Sequence, residues 1–323
     1  MTRRAQGVRV AALTALGLVI LLLLLRRVHL SPAGVLAAVT HAATGWVLLA
    51  FAGSLGTLAT RSFRFHVFFP EVTFAAFLPV TALYNALAVV LPGGLGEAFF
   101  ALYLRRRIGR GLIDIGGRLL VTRLMDLVTL MGILALSGLV PGAHLWARIP
   151  PVLGVGLWAM LLVALGLLGL IWRGGRPGRG LRLPRRMVEG VERAREGMQA
   201  RVLTPSLVVT LVNRIIGIVG YWGLFQALSL PLNLWEAAAA YAFVNLCLAI
   251  PVQGVLGAGS VDLWWVLALS ALGVAARMAT ASAVAIHVWL LVFALLPGVV
   301  AGLVLILRGS GGILRPDRET TPA

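Results

Sequence analysis

Tyr84-Asn85-Ala86-Leu87-Ala88-Val89-Val90-Leu91-Pro92-Gly93-Gly94-Leu95-Gly96-Glu97, followed by Arg105-Arg106-Arg107 and by Arg123-Leu124-Met125-Asp126, decides the fold. A Pro-Gly-Gly break, an amide and several ionisable groups stand inside apolar sequence. In a membrane such groups are costly unless they face a cavity or a partner.

The surroundings are those of a membrane protein. The chain has 323 residues, 60% of them apolar, with a mean hydropathy of +0.97. Long apolar runs recur along its length and do not alternate. That indicates a polytopic α-helical membrane protein and excludes a transmembrane β-barrel. The net charge is +17, and all 28 basic residues are arginine. They lie in short loops between apolar runs, which fits positive-inside topology and attraction to anionic headgroups rather than nucleic-acid binding. The lone cysteine, Cys247, permits no intrachain disulfide and no thiolate metal site.

Outward from the opening stretch, the apolar run Val72 to Leu91 contains Pro79. Only twelve residues separate Pro79 from Pro92, about 18 Å of helix against a hydrocarbon core of about 30 Å. The return arm from Glu97 to Leu104 is shorter still. The expectation is a re-entrant hairpin over residues 72–104 that enters and leaves on one side. A single span from Val72 to Leu91 is the alternative, and it would place Arg105, Arg106, Arg107 and Arg110 outside, against the positive-inside rule.

Full spans are expected at about Val10–Leu25, Ala33–Thr60, Leu112–Val140, Val152–Trp172, Leu207–Leu228 and Met278–Leu307. The first resembles a signal peptide, but Arg26-Arg27 follows it with no small-residue cleavage site, so it reads as uncleaved. Arg61, Arg64 and His66, interleaved with phenylalanines, read as a membrane-interface segment after the second span. Residues 173–204 form a cytoplasmic basic loop, in which Met187 to Met198 is either a solvated connection or an amphipathic surface helix. Residues 309–323 read as a disordered cytoplasmic tail. The whole of 1–308 is one integral membrane domain, with a first half at 10–140 and a second at 205–308.

The halves repeat one pattern. Ala237 to Ile250 is too short to span and ends at Pro251, with a glycine-rich tip through Gly257 and Gly259, so residues 237–272 read as a second re-entrant hairpin. Asn85 precedes Pro92 by seven residues and Asn245 precedes Pro251 by six. Glu97 and Asp262 open the return arms. Arg123 follows Glu97 by 26 residues and His287 follows Asp262 by 25. Counting sides from a cytoplasmic N-terminus makes the two units antiparallel, the inverted-repeat plan of many transporters. The fold expected is therefore an all-α polytopic membrane protein of about six full transmembrane helices and two re-entrant hairpins, with both termini cytoplasmic.

Broken helices bring half-helix N-termini, with free N–H groups and partial positive charge, toward the midplane. Such tips, here Pro92, Gly93, Gly94 and Gly96 in one hairpin and Pro251, Gly257 and Gly259 in the other, favour an anionic group. Arg118, Arg123 and Arg214 would add charge-assisted contacts. Glu97 and Asp262 either cap the half-helices, bind a cationic or hydroxyl-rich headgroup, or carry a proton. Arg123 and Asp126, spaced i,i+3, read as a pair. His287, Asn85 and Asn245 read either as interhelical contacts or as part of the translocation site. No zincin, nucleophile-elbow or nucleotide-loop motif is present, and no catalytic residue, metal or cofactor is expected.

These motifs resemble the flippase-like family that includes the membrane region of lysylphosphatidylglycerol synthases. The likeness rests on Asn85 to Glu97, on Arg105-Arg106-Arg107, on Arg123-Leu124-Met125-Asp126, and on Pro251 with Gly257, Gly259 and Asp262, and it covers about residues 10 to 308. An Asp stands at 262 where the family pattern implies Glu. Some members fuse this region to a soluble aminoacylating domain; this chain ends soon after its last span, so the resemblance implies the membrane part alone. It implies translocation of a polar-headed or lipid-linked substrate across the cytoplasmic membrane, with anionic or lipid-linked lipids as partners and a partner enzyme encoded separately. The alternatives are an intramembrane enzyme acting on lipid headgroups, with Glu97 or His287 as acid or base, and a non-transporting scaffold.

Overall fold

The computed structural model describes residues 36, 39–91, 95–138, 151–173, 200–250 and 255–307. The expected first span, the hairpin tips at Pro92, Gly93, Gly94 and Pro251, most of the basic loop and the C-terminal tail lie outside the described residues.

The described chain is helical, with no strand among its residues. Its helices are α1 (Thr44–Phe68), α2 (Phe74–Val90), α3 (Leu95–Ile108), α4 (Leu112–Gly138), α5 (Pro151–Arg173), α6 (Ala200–Ala227), α7 (Leu234–Leu248), α8 (Ser260–Ala271) and α9 (Ala276–Leu307). A 3₁₀ turn, Val255–Gly257, precedes α8. Three segments among the described residues are long and apolar enough to cross a membrane: Leu112–Ser137, Val202–Ala227 and Ala276–Leu307. The chain is a multi-pass membrane protein. The arms α2, α3, α7 and α8 have 17, 14, 15 and 12 residues, or about 18–26 Å at 1.5 Å per residue.

Three boundaries differ from expectation for physical reasons. α1 continues through Arg61, Arg64 and His66 to Phe68, because the arginines find partners within the protein and need no interface. α2 runs unbroken past Pro79; neighbouring helices and local adjustment make such a proline tolerable in a membrane helix. α6 begins at Ala200, ahead of the expected Leu207, and contains Pro205. In this stretch Ser206 Oγ donates to the Val202 carbonyl at 2.6 Å.

α1 and α6 form the central pair, and they run antiparallel. Gly223 faces Trp46 and Leu49, Gly220 faces Gly53, Ile216 faces Gly56, and the Asn213 amide donates to the Thr57 carbonyl at 2.9 Å. Small residues let the backbones approach closely. A Cβ built on Gly53 would stand 2.8 Å from Gly220 Cα.

α2 and α3 make a tight antiparallel hairpin. Gly96 lies on Ala88, where a Cβ would come within 2.7 Å of backbone. Tyr84, Phe65, Phe77 and Phe100 pack their rings together across α1, α2 and α3, with centroids 4.4 Å apart for Phe65–Phe100 and 5.2 Å for Tyr84–Phe100. The open end is closed by Arg110, which pairs with Glu71 ahead of α2 and with Asp114 at 2.9 Å in α4.

In the second half, α7 starts on a capping box. Asn233 accepts from the backbone of Trp235 and Glu236, both at 2.9 Å, and Glu236 accepts from the Asn233 backbone at 2.8 Å. This cap satisfies donors that a helix start otherwise leaves orphaned. Trp265, fully buried on α8, is enclosed by Tyr221 and Phe225 of α6.

The pairings of the helices obey one exchange. α1 packs on α6; α4 packs on α7 as α9 packs on α2; α3 lies against α2 and α4 as α8 lies against α7 and α9. Swapping α1–α4 for α6–α9 leaves this set unchanged. Among the described residues α5, which packs on α4, has no counterpart in it.

Candidate functional site: a cavity between the two halves

The two hairpins place equivalent residues at equivalent positions. Asn85 is the twelfth residue of α2 and Asn245 the twelfth of α7. Glu97 is the third residue of α3 and Asp262 the third of α8; Arg123 is the twelfth of α4 and His287 the twelfth of α9. In each half the carboxylate meets the basic group. Glu97 pairs with Arg123, and Asp262 Oδ1 lies 3.0 Å from His287 Nδ1. The pairs differ in setting. The Glu97 and Arg123 side chains are 51% and 53% exposed, whereas Asp262 and His287 are 2% and 11% exposed.

The second pair is tied into the helix break. Asp262 Oδ2 accepts from the Gly259 backbone N–H at 2.8 Å, so the carboxylate reaches back and caps its own helix. His287 Nε2 bonds the Leu256 carbonyl at 2.8 Å. Leu256 holds φ +57°, flanked by Gly257 at +67° and followed by Gly259 at +77°. A leucine in the left-handed region is unusual and persists where surrounding bonds over-determine it. A Cβ on Gly257 would also fall 2.6 Å from Val261 Cγ2, so this turn needs glycine on two counts.

Asp126 does not pair with Arg123 as the i,i+3 spacing suggests. It accepts from Arg64 Nη1 at 2.6 Å and Nη2 at 3.2 Å, and also from Arg214, all three groups buried. Arg214 donates further to Tyr241 Oη at 3.1 Å, and Arg64 to Thr210 Oγ1 at 3.1 Å. Two buried guanidinium groups outcompete one that is half-exposed and already held by Glu97. The triad binds α1, α4 and α6 together. Arg118 likewise serves another contact, at the end of α1. It donates to the Phe68 carbonyl at 2.6 Å, lies 5.6 Å over the Phe69 ring and pairs with Asp114, thereby holding the C-terminal end of α1.

Between the halves lies a cavity of about 330 Å³. Its polar side chains are Ser54, Arg61, Tyr84, Asn85 and Arg123 from one half and Tyr221, Asn245 and His287 from the other, with the Gly257 backbone beside them; Leu290, Phe293 and Pro297 belong to its apolar wall. Asn85 accepts from Arg61 Nη1 at 2.7 Å, a bond from the hairpin to α1. Asn245 instead donates to the Tyr241 carbonyl of its own helix at 2.8 Å. A smaller recess adjoins, sharing Arg61, Tyr84 and Arg123 and adding Arg64, Glu97 and Asp126. Asp262 lines neither space, and stands behind His287.

Of the polar residues at the site, Arg61 and Arg64 read in the sequence as a membrane-interface segment, and Ser54, Tyr84 and Tyr221 have no role of their own there. The signal for the arginines was their i,i+3 spacing in a stretch with no glycine or proline between Gly56 and Pro70, which puts both on one helix face. Among the described residues no group of three His, Cys, Asp or Glu is arranged to hold a metal ion.

A multi-pass helical membrane protein with a polar cavity between two interlocked halves is the class these features define. The chain belongs to the family described as "Lysylphosphatidylglycerol synthase TM region", whose sequence model matches residues 11–298. No curated protein and no solved structure matches it.

Proposed function

We propose that the protein is a flippase-like translocator of a polar-headed or lipid-linked substrate across the cytoplasmic membrane, passive or ion-coupled, with both termini cytoplasmic. The cavity between the halves carries the reading. A space of about 330 Å³ is at the lower end of ligand-site volumes and suits a headgroup. Polar side chains from both halves face it while acyl chains stay in the bilayer.

The antiparallel α1–α6 pair and the exchange of partners between the halves support an inverted repeat. The short arms and the Arg110–Glu71 closure support a first hairpin that enters and leaves on one side. In this reading α2–α3 and α7–α8 are the two gates. The half-exposed Glu97–Arg123 link belongs to the open gate and the buried Asp262–His287 link to the closed one. Alternating access would reverse their exposure.

The enzymatic reading is weaker on one observation. Both His287 ring nitrogens are engaged, by Asp262 and by the Leu256 carbonyl, so the dyad offers no free nitrogen to a substrate proton.

The test is lipid scrambling in proteoliposomes with fluorescent headgroup analogues. Wild-type protein is expected to exceed empty liposomes for at least one lipid class, and Glu97→Gln and Arg123→Ala to slow it. Wild type equal to empty liposomes across all classes tested would overturn the translocator reading for those lipids. Mutants equal to an active wild type would remove the Glu97–Arg123 gate.

A further inference from the structure

We infer that Arg61 is the anion-receiving residue of the cavity and that its ligand is a phosphate group, carried by a lipid headgroup or by free phosphate; the headgroup form rests on the translocator reading above. Three arginines, Arg61, Arg64 and Arg123, line the cavity and its recess, and Arg214 shares Asp126 with Arg64; set against the two carboxylates Glu97 and Asp126, and apart from the Asp262–His287 pair, they leave two positive charges in surplus. Surplus charge inside a membrane protein is costly, and an anion entering the cavity relieves it.

The surplus is not evenly available. Arg64 and Arg214 are buried on Asp126, Arg123 is held by Glu97 and Tyr84, and Arg118 by Phe68 and Asp114. Arg61 has only the neutral amide oxygen of Asn85, at 2.7 Å, and no carboxylate partner among the described residues. It faces both the large cavity and the recess. A guanidinium carries five N–H donors in a planar fork. With one donor on Asn85, the others remain for a ligand. Asn85 fixes the group's position while leaving its charge unneutralised. That combination suits bidentate capture of a tetrahedral oxyanion. Tyr84 Oη, which accepts from Arg123 Nη2 at 3.1 Å, and the Asn85 and Asn245 amides, on the same cavity, provide neutral polar groups for hydroxyls next to the phosphate.

The experiment measures binding separately from transport. Full-length protein in dodecyl maltoside is titrated with dioleoylphosphatidylglycerol, dioleoylglycerol and inorganic phosphate, by native mass spectrometry for the lipids and calorimetry for the phosphate. The variants are Arg61→Gln, Arg61→Lys and, as a surface arginine outside the cavity, Arg105→Gln; each is checked for an unchanged melting temperature. Wild type is expected to hold the phosphatidylglycerol at least tenfold more tightly than dioleoylglycerol. Arg61→Gln is expected to lose that preference, Arg61→Lys to keep part of it and Arg105→Gln to keep all of it. Loss confined to the lipid assigns the headgroup as source; loss of inorganic phosphate binding as well assigns the phosphate alone. Equal binding by wild type and Arg61→Gln overturns the inference, as does equal loss in Arg61→Gln and Arg61→Lys with both folded. Should Arg61→Gln fail to fold, Asn85→Ala serves in its place. Releasing the guanidinium should weaken binding several-fold, and unchanged binding overturns the inference. Arg61-dependent binding without scrambling would leave the site and remove the translocator; scrambling with binding indifferent to Arg61 would do the reverse.

Discussion

Replacing Asp126 by asparagine should be among the most destabilising single changes in the described structure. The carboxylate takes three charge-assisted bonds, two from Arg64 and one from Arg214. The side chains of Arg64, Asp126 and Arg214 are 6%, 13% and 6% exposed. An amide keeps the size but removes the charge, and it turns one end into a donor that faces a guanidinium N–H. Two buried cations then share no counter-ion. Breaking a buried pair in this way costs about 3–5 kcal/mol, and here the Coulomb loss involves two arginines. The half-exposed Glu97–Arg123 pair is the internal contrast. Glu97→Gln should cost only about 0–1 kcal/mol. Reversible unfolding in mixed dodecyl maltoside and SDS micelles, followed by tryptophan fluorescence, measures both. A triple variant, Asp126→Leu with Arg64→Met and Arg214→Met, should recover much of the loss, since apolar replacement of a whole buried cluster is often neutral. An Asp126→Asn protein within about 1 kcal/mol of wild type, the scale of an exposed pair, would refute the claim that this triad holds α1, α4 and α6 together.

Other consequences follow from packing and capping. Gly53→Leu must push α1 from α6, because even a Cβ would meet Gly220 backbone at 2.8 Å; the cost should be about 1–3 kcal/mol or more in the same unfolding assay, while Gly45→Ala, with open space around it, should be close to neutral. Asn233→Ala removes the acceptor for two backbone amides at the start of α7 and should cost about 1 kcal/mol, measured as a lowered SDS midpoint. Cys247 is buried, so maleimide should label it slowly in native membranes and fast after SDS; equal rates would contradict the packing of α7.

The matching positions of Glu97, Arg123, Asp262 and His287 were legible because the hairpin pattern is local. The spacing from Glu97 to Arg123 and from Asp262 to His287 follows from arm length plus the advance into the next helix, and both pairs meet. Arg64 was hidden because its partner lies 62 residues away. Arginine among phenylalanines has one composition whether it sits at an interface or inside a helix bundle, and only the long-range partner distinguishes them. The same distance misassigned Asp126. An i,i+3 neighbour is visible in a sequence, whereas competition from Arg64 and Arg214 is settled by tertiary packing. Asn85 and Asn245 show the limit of a repeat: equal positions, but one asparagine holds Arg61 of another helix and the other its own backbone. The span count could be read only in outline, since length and apolarity rank helices without placing them in a bilayer.

One helix stands outside the exchange that relates the halves. α5 packs on α4, and among the described residues nothing occupies the matching place beside α9. Were the two halves energetically identical, a state with the first gate open and a state with the second gate open would be populated equally, and neither side of the membrane would be favoured. Contacts made on one half only remove that degeneracy. On the translocator reading proposed above, α5 would weight one of these two states against the other, and its outer surface is where such a bias could be tuned without touching the cavity.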